Sequence, residues 1–112
     1  MAETIDLINE IGAKTALLDA AIKQLGIRGK EYARAEMNYK VSLAKKILEQ
    51  RDKGIAVTII SDICRGDPEI ARLRFERDCA EVMYRSATEA INNYKLQIRI
   101  LDNQISREWS NV

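Results

Sequence analysis

The sequence predicts an all-α protein: a long antiparallel helical hairpin, coiled-coil-like, with a short helix at the turn, dimerising into a helical bundle. Three observations carry this. Proline occurs once and glycine five times in 112 residues, and aromatics are only 5%. An all-β domain of this length needs many Gly, Pro, Asn and Asp turns, so that class is excluded. Apolar residues in the first half recur with a four-three spacing, the rhythm of a helix packed against another helix. The residues between them are mostly Ala, Lys, Glu, Gln and Arg, which are good helix formers. With 46% apolar and 31% charged residues, the chain has the composition of one folded domain rather than a disordered segment.

The first helix is expected over about residues 4–53. Its seam reads Thr4, Ile8, Ile11, Thr15, Leu18, Ile22, Leu25, Gly29, Tyr32, Glu36, Tyr39 and Leu43, continuing into Ile47 and Leu48. Thr4 or Asp6 offers a start, and Gly54 a stop just beyond the last turn. Gly26 and Gly29 form a weak point inside the run, each costing up to about 1 kcal/mol in a helix interior. The segment is therefore one helix, continuous or merely kinked, or two helices joined near 26–29; the first reading is preferred.

Residues 53–68 form the most distinctive stretch. Ile55, Val57, Ile59 and Ile60 read locally as a strand, but a lone strand has no partner in a helical chain. A short cap helix over about 58–65 fits better, with Thr58 as its cap and Gly66 as its stop. Val57, Ile60, Ile63 and Cys64 then face one way and plug the end of the hairpin. Asp67-Pro68-Glu69 opens the last helix, about 68–109. Asp caps it, Pro occupies the first turn, and Glu favours the positive helix end. Its seam runs through Leu73, Ala80, Met83 or Tyr84, Ala87, Ile91, Tyr94, Ile98, Leu101, Ile105 and Trp109. A second stripe of Ala71, Phe75, Cys79 and Val82 widens the apolar face, so this helix meets more than one neighbour. A two-helix hairpin leaves one side of each seam thinly covered. Ile11, Leu18, Leu25, Tyr32, Tyr39, Tyr94 and Leu101 are accordingly read as an oligomer seam for a homodimer.

The composition also limits the chemistry. There is no histidine, which removes the commonest general base and the commonest metal ligand. Cys64 and Cys79 read as reduced thiols, and two cysteines without histidine make zinc a poor fit. Ser61 and Cys64 have no base to activate them. Glu49/Asp52 and Asp78/Glu81 are acidic pairs that could approach each other across the hairpin, as in magnesium-dependent helical hydrolases. Arg51 and Arg77 interleave them, and solvated salt bridges explain them better. The Arg65-Gly66-Asp67 tripeptide matches an adhesion motif, but helix ending and capping account for it. No catalytic residue, metal site or cofactor is expected. The opening Met-Ala-Glu-Thr-Ile-Asp lacks the features of a signal peptide, and no apolar run approaches a membrane span, so a cytoplasmic protein is expected.

Net charge is only +1, but it is uneven: net −2 over residues 1–25, +4 over 26–53 and −1 over 54–112. Arg28, Lys30, Arg34, Lys45, Lys46 and Arg51 are thus the candidate nucleic-acid-binding residues, although their spread around the helix suits a solvated surface better. For a protein partner, the hairpin tip is accessible and chemically distinct, which singles out Asp62, Arg65, Asp67, Arg72 and Arg74.

Four stretches, Tyr39–Leu48, Val57–Asp67, Ala90–Arg99 and the closing Gln104–Trp109, resemble small uncharacterised proteins encoded by phages and prophages of Gram-positive bacteria. The resemblance spans about two-thirds of the chain and rests mainly on Val-Thr-Ile-Ile-Ser-Asp-Ile-x-Arg-Gly and the terminal Arg-Glu-Trp. It implies a phage setting inside a bacterial host and brings no catalytic residues. The expected function is a non-enzymatic interaction protein, such as an inhibitor of a host or defence protein, for example a nuclease. The alternative is a nucleic-acid-binding accessory factor in phage recombination or replication.

Overall fold

The computed structural model describes residues 2–110, and those residues form three α-helices: α1 (Ala2–Asp52), α2 (Val57–Gly66) and α3 (Pro68–Ser110). They fall into two compact units, Arg28–Tyr84 and the pairing of residues up to Ile27 with those from Arg85 onward. No strand occurs among the described residues.

α1 is helical through Gly26 and Gly29. It stops at a glycine signal. Gly54 is the only described residue with positive φ, at 77°. Its N–H bonds to the Arg51 carbonyl at 2.9 Å, and the Ile55 N–H bonds to the Gln50 carbonyl at 3.1 Å. This is the paired closure in which a left-handed residue satisfies the last carbonyls of a helix.

The start and end of α2 differ from the sequence reading. α2 begins at Val57, with Ala56 extended before it and no side-chain cap, so Thr58 does not cap it. Gly66 is its last helical residue rather than a left-handed stop. The stop is Asp67, held extended at φ −68° and ψ 125°. Asp67 precedes Pro68, whose ring excludes the helical conformation from the residue before it. The same residue then starts α3. Its Oδ1 accepts the backbone N–H groups of Glu69 at 3.0 Å and Ile70 at 3.1 Å.

In the unit of residues 28–84, the α1 and α3 segments run antiparallel. Tyr32 meets Tyr84 with ring centroids 6.0 Å apart. Tyr39 lies under the Arg77 guanidinium at 4.6 Å, and Lys46 reaches Asp67 at 3.1 Å. α2 closes the joined end, burying Ile60 and Cys64 against a core that includes Ile70 and Leu73. Val57 and Ile63 are exposed, so only half of the expected apolar face of α2 points inward. In the other unit, residues 3–10 of α1 lie beside Gln104 and Glu108 of α3 around a shallow acidic depression. Ile91 and Leu101 are its buried residues.

The covered stripe of α3 follows the expected seam closely, through Leu73, Ala80, Ala87, Ile91, Tyr94, Ile98, Leu101 and Ile105. Met83, Tyr84 and Trp109 are exposed. The stripe of α1 departs from the expected one at three positions in its first part. Thr4, Ile11, Leu18, Leu25, Tyr32 and Tyr39 are half-buried as expected. Up to Ala21 their partners on the stripe lie one residue earlier, at Leu7, Lys14 and Ala21; further along, the expected Gly29, Glu36 and Leu43 are half-buried, and so are Arg28, Ala35 and Ser42 beside them. Ile8, Thr15 and Ile22 are exposed instead. In the unit of 28–84 the expected positions hold: Tyr32 and Tyr39 both contact α3, and the small Ala35 and Ser42 lie on the same side. The outward side of α1 there carries Met37, Val41 and Leu48, all about half exposed or more.

Candidate functional site

The most developed concave surface lies wholly within residues 28–84. It is an open groove of about 630 Å³ walled by all three helices. Leu43, Ile47 and Arg51 recur every four residues on α1, which places them on one side of that helix. Val57, Ile60, Ser61, Cys64 and Arg65 do the same on α2. Ile70, Ala71, Arg74, Phe75 and Asp78 complete it from α3. The buried Ile60, Cys64 and Ile70 form the floor, and Leu43 and Ile47 are half-buried. The lips are apolar and unusually open: Val57 is 71% exposed and Phe75 68%.

Charge is distributed unequally around it. Arg51, Arg65 and Arg74 line the groove, one from each helix, and none enters an ion pair among the described residues. The one acid lining the groove, Asp78, accepts from Arg77 Nη2 at 2.8 Å and from its Nε at 3.1 Å. Asp78 holds the Arg77 guanidinium above its ordinary pKa, and Arg77 in turn covers the Tyr39 ring that borders the groove.

The other charged candidates are engaged structurally. Arg72 donates to Glu69 at 2.6 Å and to Glu76 at 2.6 Å, which raises its pKa and lowers that of Glu69. Asp67 caps α3 and pairs with Lys46. Its carboxyl is held below the ordinary value first by the Ile70 N–H and then by Lys46. Lys46 is raised by the same hydrogen bond and also lies 3.8 Å from Glu49. Asp62 is exposed on α2 and does not line the groove. Of the five tip residues singled out from sequence, the fold brings Arg65 and Arg74 together and joins them to Arg51. Among the basic candidates, Arg28 pairs with Glu31 at 3.1 Å, while Lys30, Arg34 and Lys45 are exposed.

The proposed oligomer seam is already covered. Leu101 is buried, and Ile11, Leu18, Leu25, Tyr32, Tyr39 and Tyr94 are half-buried. Tyr32 and Tyr39 spend their ring faces on Tyr84 and Arg77. The two acidic pairs do not gather into one set: Glu49 lies by Lys46 and Asp78 by Arg77. Among the described residues, no group of three or more His, Cys, Asp or Glu is arranged to hold a metal ion. No described helix is long and apolar enough to cross a membrane. Both cysteines are free, Cys64 buried and Cys79 exposed.

Leu43, Ile47, Ile70 and Phe75 belong to the groove without having been singled out as binding residues. The available signal was Phe75, the single phenylalanine, on a stripe with Ala71 that the main seam does not use. Comparison with protein-family models, curated proteins and solved structures finds no match to this chain.

Proposed function

We propose that this protein acts by binding another protein, and that the groove of residues 28–84 receives a helix of that partner. The observation that carries the reading is the exposure of Phe75 and Val57 above a floor of buried aliphatic side chains. A small-molecule site encloses most of its ligand. A lip with one aromatic and one aliphatic side chain standing in solvent suits a longer occupant that buries its anchors along a line. Helices dock in such grooves through apolar residues at i, i+3, i+4 and i+7. Buried aromatics at the centre of an interface dominate its energetics. The phage resemblance supports a host enzyme or defence nuclease as the partner, held off by occupation of its binding surface in the bacterial cytoplasm.

Site-directed photo-crosslinking tests this. A photoreactive phenylalanine analogue replaces Phe75 in the full chain expressed in the host, and a second variant carries it at Val82, which is exposed but outside the groove. The expected result is a discrete adduct from position 75 that is absent from position 82. Equal labelling from both positions would overturn the reading.

Homodimerisation is the second part of the proposal. Met37, Val41 and Leu48 supply an apolar stripe outside the covered seam, on the side of α1 opposite Tyr32 and Tyr39. Native mass spectrometry of wild type and Val41→Glu reads subunit number directly. A monomer at all concentrations removes this part.

The second functional reading, a nucleic-acid accessory factor, is favoured by Lys30, Arg34 and Lys45. At 100° per residue they fall within about 60° of one another on the outward side of α1. A gel-shift series against salt tests it: binding absent at 50 mM salt, or present without a steep salt slope, argues against it.

A further inference from the structure

We infer that the helix received by the groove carries acidic residues flanking its apolar face. The inference rests on the helix-docking reading and adds its charge. Of the four arginines of α2 and α3 within residues 28–84, the fold treats two in one way and two in another. Arg72 and Arg77, away from the groove or at its back, are bonded to Glu69, Glu76 and Asp78. Among the described residues, Arg65 and Arg74, on the groove, are left without an ion pair, and so is Arg51, which lines it from α1.

Three of the acids nearby are already committed. Asp67 belongs to Lys46 and the α3 cap, Asp78 to Arg77, and Glu69 to Arg72. The groove therefore presents an apolar floor edged by three cations, one from each helix. Arginine keeps its charge at every accessible pH and presents a planar fork that matches a carboxylate. An occupant with Leu, Ile or Phe toward Ile60, Cys64 and Ile70 places its flanking positions at this edge. Glu or Asp there completes three ion pairs beside apolar lips that displace water. Lys there meets three like charges, and like-charge juxtaposition disfavours binding.

The test uses three fluorescein-labelled helical peptides of about 16 residues, with Leu at i, i+3, i+4 and i+7 and flanks of Glu, Gln or Lys. Binding to the full-length protein is read by fluorescence anisotropy. The Glu peptide is expected to bind about tenfold or more tighter than the Gln peptide, with the preference shrinking as salt rises. The Lys peptide is expected to bind weakest. In the triple variant Arg51→Glu, Arg65→Glu, Arg74→Glu the order should reverse, with circular dichroism confirming helicity. Arg72→Gln, outside the groove, should leave the order unchanged.

Equal affinity for the Glu and Gln peptides, both abolished by Phe75→Asp, would overturn the acidic inference while leaving the groove as a helix site. No binding by any peptide, or binding indifferent to Phe75→Asp, would overturn both.

Discussion

Lys46 Nζ lies 3.1 Å from Asp67 Oδ2, while Oδ1 of the same carboxylate caps α3. One side chain thus ties the last turns of α1 to the first turn of α3 and also satisfies two orphan N–H groups. The sign of its pH dependence follows. Asp67 is held below its ordinary 3.8, and Glu69 below its ordinary 4.5. The unfolded chain therefore takes up these protons first as pH falls. The stability they supply is full above about pH 5 and is lost as pH drops through and below those values. Thermal melts at pH 7, 5 and 3 should show a steeper acid loss for wild type than for Asp67→Ala. Asp67→Asn keeps an acceptor for the cap and loses the ion pair, so its melting temperature should fall between the two at pH 7.

Glycine substitutions should separate by backbone and space. A Cβ at Gly26 meets nothing within 4 Å, so Gly26→Ala should stabilise by up to about 1 kcal/mol through helix propensity. At Gly29 the new methyl would lie 3.4 Å from the Tyr84 ring, so the gain should be smaller. Gly54→Ala should destabilise by about 1 kcal/mol, because φ of 77° is costly for any L side chain. Urea titration monitored by circular dichroism orders the three.

Stability and binding should part company at the groove. Ile60 and Ile70 are 4% and 3% exposed, so Ile60→Ala or Ile70→Ala should cost about 2–4 kcal/mol. Phe75→Ala removes a side chain standing in solvent and should change stability by less than about 0.5 kcal/mol. It should nevertheless weaken partner binding severely. A Phe75→Ala protein that unfolds early would show that the ring supports the fold instead.

The two thiols should react on different clocks. Cys79 is exposed, and Cys64 is 1% exposed on the inner side of α2. A thiol reagent should titrate one equivalent promptly and the second only with unfolding. Prompt reaction of both would mean that α2 opens readily.

Much of this architecture was legible in the residues. Asp67-Pro68-Glu69 and Gly54 mark helix ends through local chemistry, and the chain obeys both. The α3 seam was legible because its apolar residues fall on a single stripe. The α1 stripe was legible except at Ile8, Thr15 and Ile22, where bulky residues occur on two sides of the helix. Ile8 and Ile22 match the period as well as Leu7 and Ala21 do, and only packing within their own unit decides between them. Thr58 illustrates the same limit: it is a good cap residue, but the extended Ala56 lets the helix begin first. Arg65 and Arg74 could be singled out by position at the turn. That Arg51 joins them, and that Arg72 and Asp67 are consumed by neighbours, depends on geometry between helices.

Each helix contributes one groove arginine, so these cations are neighbours only while α1, α2 and α3 are assembled in this unit. An occupant that touches Arg51, Arg65 and Arg74 together binds the folded arrangement and not the unfolded chain. By mass action its occupancy then adds to conformational stability, by about 2.7 kcal/mol at a ligand concentration one hundred times Kd. The converse holds at a distance. Loosening the turn at Gly54 or the cap at Asp67 lowers the population of the assembled groove, and so lowers apparent affinity without altering any residue that lines it.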